Sequence, residues 1–198
     1  MLKRLPLAAV FAAMLCAGCS SPAPSDKLPE MTFNHLPPIQ LKVANVQIEN
    51  KSPANTNPAN AAMQFPVPPD QALTRWAQDR LKATGSSGTA RFTILQSDAT
   101  AKDLPVDTGV TGLFKKEISD QYDSHIEAEL TVIDGNGREV GTVSAKSNHQ
   151  ATVREDASLI DRHKVMYDMV EKMMADFNAE MEAGIRRNLS SSLQSLVF

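Results

Sequence analysis

The sequence predicts an α+β domain: a mixed or antiparallel sheet of about four strands carrying two helices on one face, the C-terminal helix long. Three observations point there. Apolar and polar residues alternate from Ile126 to Val143 on either side of Asp134-Gly135-Asn136-Gly137, the pattern of a hairpin with one buried face. Apolar side chains recur at helical spacing from Leu159 to Ile185. Between residues 39 and 96 a strand, a helix and a second strand follow in the order of a βαβ unit, which predicts parallel strands and a right-handed crossover.

In order, the chain opens with a positive pair, Lys3-Arg4, an apolar run from Leu5 to Leu15, and the small residues Ala17 and Gly18 before Cys19. That is the build of an export signal. The run is well short of the roughly 20 residues a membrane-crossing helix needs. The predicted organisation is a signal peptide over 1–18, a Pro/Ser-rich tether over 19–38 and a single domain over 39–198. Removing the signal takes away Lys3 and Arg4 and moves the net charge from −3 to −5. A mildly acidic chain lacks the electrostatic footprint for nucleic acid. Both cysteines, Cys16 and Cys19, lie in the export segment. The folded body therefore has no internal disulfide, cysteine nucleophile, thiolate zinc site or iron–sulfur cluster.

Ser20–Pro38 holds Pro22, Pro24, Pro29, Pro37 and Pro38 and reads as an extended spacer. Ile39–Ile48 reads as one strand whose alternation slips at Ala44-Asn45, the mark of a bulge. Asn50–Pro69 is a long Asn/Ala/Pro loop in which Met63 and Phe65 are expected to tuck onto the body. Asp70–Thr84 is expected to be a helix closed by Gly85, with Leu73, Trp76, Ala77, Arg80 and Leu81 on its buried stripe. Gly85-Ser86-Ser87-Gly88 follows a helix and precedes a strand, the wrong context for a phosphate cradle, and reads as a turn. Thr89–Gln96 is the next strand and Asp98–Ser124 the least regular part. Within it Leu113-Phe114, between glycines and lysines, is either a plug over the core or a candidate partner surface.

In the hairpin, placing Asp134 opposite Gly137 sets Leu130 against Gly141, Ala128 against Val143 and Ile126 against Ala145. Glu127 and Glu129 then fall on the solvent face as solubilising charges. Ser158 and Asp161 resemble a capping box for the last helix, with Arg186 and Arg187 at its negative end. Its stripe runs Leu159, His163, Met166, Val170, Met173, Phe177, Met181 and Ile185. At roughly 45 Å it exceeds what the expected sheet needs, so Met181 and Ile185 are either core or an overhanging partner surface. Ser190–Phe198 reads as a frayed end. His35, His125 and His149 have no metal-ligand spacing, and no motif supplies catalytic residues: there is no Gly-x-Ser-x-Gly and no His-Glu-x-x-His. Neither a metal nor another cofactor is expected, and the chain is not expected to be an enzyme.

Leu15-Cys16-Ala17-Gly18-Cys19 resembles the lipobox of bacterial lipoproteins, although Cys16 stands where that family usually has an aliphatic residue. The resemblance implies cleavage between Gly18 and Cys19, and lipidation of Cys19 by a diacylglyceryl thioether and an amide-linked acyl chain such as palmitate. The alternative is a plain secretory signal with Cys19 a free thiol. Ser20, where enteric lipoproteins retained at the inner membrane carry Asp, implies the periplasmic face of the outer membrane, with the inner membrane as the alternative. With the helix after the first strand, the DGNG hairpin and the last helix, the chain is similar in order of elements to two families. These are the periplasmic auxiliary lipoproteins of ABC-type transport systems and the uncharacterised YajG-like lipoproteins. That resemblance implies a non-catalytic envelope adaptor, bound to membrane by its anchor and to an envelope protein. A periplasmic ligand carrier or hydrolase is the competing expectation.

Overall fold

The structure, a computed structural model, describes residues 28–105 and 117–193. Its centre is a mixed four-stranded sheet ordered β2-β4-β5-β6, with β2 Asn45–Asn50, β4 Thr89–Asp103, β5 Ile118–Ile133 and β6 Glu139–Arg154. β2 runs parallel to β4, as the βαβ reading requires, and the other pairings are antiparallel. Two strands of three residues, β1 Ile39–Leu41 and β3 Leu81–Ala83, pair parallel beside it. Helices α1 Pro69–Arg80 and α2 Leu159–Asn188 lie on one face, since Trp76 of α1 and Phe177 of α2 both pack on Phe92 of β4. This is the expected fold class.

Several expected elements change shape. The run Ile39–Ile48 is two strands in two sheets, not one bulged strand. At the break the Val43 N–H turns back to the Leu41 carbonyl at 2.8 Å, and the chain passes from β3 to β4 as its partner. Helix α1 stops at Arg80 rather than Thr84, because Leu81 goes extended and is buried in β3. The spacer reading fails from Leu28 onward. Met31 and Phe33 are buried, the Phe33 N–H donates to Asp79 Oδ2 at 2.8 Å, and Arg75 pairs with Glu30 at 2.6 Å. The domain thus begins before Ile39, with residues 28–38 strapped along α1.

Strands β4 and β5 are far longer than expected. Residues 98–103 and 118–124, read as irregular, are paired strand. Apart from the buried Tyr122, their inward residues Ala99, Ala101 and Ser124 are small, so the alternation fades although Ala99 and Ser124 are buried. The β4–β5 ladder carries one bulge, between Ile94 and Gln96.

The hairpin register is also shifted: Leu130 faces Val143, Ala128 faces Ala145 and Ile126 faces Ser147. Gly137, at φ 79°, closes a three-residue loop in which Asp134 and Arg138 pair, and a second irregularity between Val132 and Ile133 adds another residue. A slip of two preserves the faces, because side chains alternate with period two. Ile126, Ala128, Leu130 and Val132 are buried under the helices as expected, and Glu127 and Glu129 lie on the opposite face.

The long loop after β2 is built by its asparagines. The side chains of Asn50, Asn55, Asn57 and Asn60 each accept from the backbone N–H two residues on. The loop then pairs with β4, through Ala61 N–H to Ala99 and Ala101 N–H to Ala59. Phe65 packs edge-on against Tyr122 at 5.9 Å, whereas Met63 stands in solvent.

Helix α2 starts with the expected capping box, Ser158 Oγ accepting from the Asp161 N–H at 3.1 Å and Asp161 Oδ2 accepting from the Ser158 N–H at 3.3 Å. It lies along β6 in the opposite sense. Residues 190–193 are not frayed: a short 3-10 turn brings Ser192 O to the Lys42 N–H at 2.8 Å, and Leu193 bridges to Leu41. The molecule therefore has a turn end, holding Asp134–Gly137 and the β1–β3 pair. At its far end β4 finishes, β5 begins and α2 starts.

Candidate functional site

Of the residues singled out by sequence, Gly18 and Cys19, and Leu113 and Phe114, lie outside the described residues. Met181 and Ile185 do not form a partner surface: both are buried in the core. The reason is length. Sixteen-residue strands span about 50 Å, and α2 at 30 residues spans about 45 Å, so the sheet underlies the helix to its end. There Gly184 lies against Val143, and Leu189 against Gly141. The exposed end of α2 is the other one, where Leu159, placed on the buried stripe by its spacing, and Ile160 face solvent.

The ionisable side chains inside the body tie elements together. Arg80 is 2% exposed. Its Nη1 donates to Pro37 O at 2.5 Å and its Nη2 to Glu182 Oε1, while its Nε makes no hydrogen bond among the described residues. Burial pulls its pKa below the ordinary guanidinium value, and the Glu182 carboxylate opposes that. Asn178 links this pair to the indole, accepting from Trp76 Nε1 at 2.9 Å and donating to Glu182 at 3.3 Å. One network therefore joins strap, α1 and α2. The spacing signal was present, in Trp76 and Arg80 one turn apart and in Asn178, Glu182 and Arg186 at successive turns, but reading Arg80 as a stripe residue missed its partner.

At the far end Arg162 of α2 donates to Asp120 of β5 at 2.5 Å. Burial alone would raise the Asp120 pKa, yet hydrogen bonds from Ser119 and Arg162, with the guanidinium charge, hold it below the usual value. His149 pairs with Asp176 at 2.7 Å, and Glu180 accepts from the Lys146 N–H at 3.1 Å, fastening α2 to β6.

Three concavities stand out among the described residues, one of about 500 Å³ lying between residues 53–57 of the asparagine loop and Leu95, Gln96 and Asp98 of β4. On the helix-free face Asp98 pairs across to His125 and His125 to Asn148, with Thr100, Asp123 and Gln150 in the next row. They border a shallow depression of about 280 Å³. Gln96 donates to Asp98 at 2.6 Å and Gln121 to Asp123 at 2.8 Å, which occupies part of each carboxylate. A groove of about 440 Å³ runs between the strap and α1, lined by Leu28, Met31, Val67, Gln71 and Arg75 among others. Among the described residues no three His, Cys, Asp or Glu side chains converge as metal ligands, and no helix is long and apolar enough to cross a membrane.

No protein-family description and no curated protein matches the chain. Among solved structures it is similar to the crystal structure of rare lipoprotein B from Shewanella oneidensis, at 9% identity and a TM-score of 0.35. The alignment covers 74% of this chain and 98% of that one. A likeness of that size assigns neither family nor function.

Proposed function

We propose that this is a lipid-anchored, non-catalytic periplasmic lipoprotein that serves an envelope transport assembly as an auxiliary or adaptor protein. The observation that carries the reading is the export segment with its terminal Leu15-Cys16-Ala17-Gly18-Cys19. Cys19 becomes the acylated N-terminus, and two or more chains hold it stably where one would bind only marginally. Ser20 favours the outer membrane. The body supports the reading in a second way: its buried or half-buried charges, Arg80, Glu182, Asp120 and Arg162, are spent on joining elements rather than aimed at a pocket. An envelope protein is the expected partner, with Leu113-Phe114 as its contact.

The test is fractionation of a Cys19→Ser chain beside the parent. The parent is expected in the membrane fraction and the variant in the soluble periplasmic extract, with the same circular dichroism. A variant that stays with the membrane removes the anchor from the account. The depression around Asp98, His125 and Asn148 favours a second reading, a small-ligand carrier. It requires that His125→Ala abolish binding of a polar ligand the parent retains on purification.

A further inference from the structure

Six large apolar side chains stand exposed among the described residues, and they are unevenly placed. Met63 (87% exposed), Leu159 (67%), Ile160 (52%) and Ile118 (46%) belong to the far end. Val140 is at the turn end and Leu95 midway along the sheet. Pairing and packing fix the first group's position. Met63 is two residues from Phe65, whose ring meets Tyr122. Tyr122 is four residues of strand, about 13 Å, from Ile118. Ile118 pairs with Arg154, and the chain from there caps and starts α2 at Leu159.

The anchored N-terminus approaches the same region. Leu28 lies in the groove with Pro66 and Val67, directly after Phe65. Only nine peptide steps separate it from Cys19, a reach of at most about 30 Å. A bilayer holding the acyl chains is therefore never farther than that from Leu28, and the exposed apolar side chains beside that point are the ones able to meet it.

We propose that the far end of the sheet rests on the bilayer that holds Cys19, with Met63, Leu159, Ile160 and Ile118 dipping into its interface. This inference rests on the lipoprotein reading above. It fixes the body's orientation: β-strands pointing at the membrane, and the Asp134–Gly137 turn facing away into the periplasm. The charges nearby are mixed, with Lys102, Arg154 and Arg162 among Asp103, Asp120, Glu155, Asp156 and Asp161. The contact is accordingly apolar, not an electrostatic attraction to anionic lipid.

The experiment uses the full acylated chain, its N-terminal mass verified first, in vesicles of phosphatidylethanolamine and phosphatidylcholine. Acylated Cys19 has no free thiol and the body has no other, so Met63→Cys, Leu159→Cys and Asn136→Cys each carry one environment-sensitive fluorophore. The labels at 63 and 159 are expected to shift to the blue and to lose most of their emission when the lipids carry a quencher near the headgroup. The label at 136 should do neither. Added phosphatidylglycerol and raised salt should leave the pattern unchanged. Unquenched labels at 63 and 159 on a chain of verified acylation overturn the orientation and give those side chains to a protein partner, while quenching at 136 reverses it. An unacylated N-terminus instead defeats the anchor itself, at the mass measurement and before any vesicle is used.

Discussion

Removing the Glu182 carboxylate strands a guanidinium with 2% of its surface exposed. Breaking such a pair from one side costs more than the pair contributes, because the remaining charge stays buried. Glu182→Ala is expected to destabilise the fold by about 3 kcal/mol, and Glu182→Gln by less, since the amide oxygen still accepts from Arg80. Urea titration followed by the fluorescence of Trp76, the only tryptophan and fully buried, reads both. Equal stability in parent and Glu182→Ala would deny the network its role.

Asp120 carries a pH signature. Its folded pKa lies below the ordinary 3.8, so its contribution is complete above that value and is lost as pH falls through the lower folded one. Asp120→Asn is expected to be less stable than the parent by about 1–2 kcal/mol at neutral pH. The gap should close as acid protonates the parent. A gap that persists in acid would mean that packing, not charge, holds β5 to α2.

At the level of elements, α2 depends on how closely it approaches β6. A Cβ on Gly184 would lie 2.4 Å from Val143 Cγ1, a buried and stiff β-branched side chain. Ala is ordinarily worth about 1 kcal/mol more than Gly inside a helix; here the sign should reverse. Gly184→Ala is expected to destabilise by about 1–3 kcal/mol, and Val143→Ala in the same chain to recover part of it, a coupling that a double-mutant cycle measures. Independent, additive effects would contradict the packing described.

The same helix shows what was legible in the sequence. Its boundaries, capping box and buried methionines follow from spacing and cap chemistry, and the hairpin's faces follow from strict alternation. The length of the strands does not, because Tyr122 is a lone bulky side chain among the small inward residues Ala99, Ala101 and Ser124, too little to mark a buried face. An underestimated sheet then put the overhang at the wrong end of α2, at Met181 and Ile185 instead of Leu159 and Ile160. The strap was hidden similarly: its prolines describe an extended chain correctly but say nothing of Met31 and Phe33 docking onto α1. The split of Ile39–Ile48 into two sheets is set by its non-local partners, residues 81–83 and 89–94, which no local pattern reports.

For the whole molecule, the strap changes what the anchor does. A spacer reaching to Pro38 would let the body turn freely above the membrane, whereas docking from Leu28 leaves a short leash. Adding glycine-serine residues between Ser20 and Lys27 lengthens it without touching the described body. The far-end contact is expected to weaken with leash length, because the local concentration of the membrane surface falls as the tether grows. Quenching of the Met63→Cys label should decrease accordingly, with no change in thermal stability. Quenching that ignores leash length would mean that the far end binds lipid unaided.

All of this presupposes the acyl chains, and the mass of the mature N-terminal peptide, taken from the membrane fraction, tests them most directly. The account expects a peptide beginning at Cys19, heavier than its sequence by a diacylglyceryl group and an amide-linked acyl chain. A peptide beginning elsewhere, or at an unmodified Cys19, would contradict it.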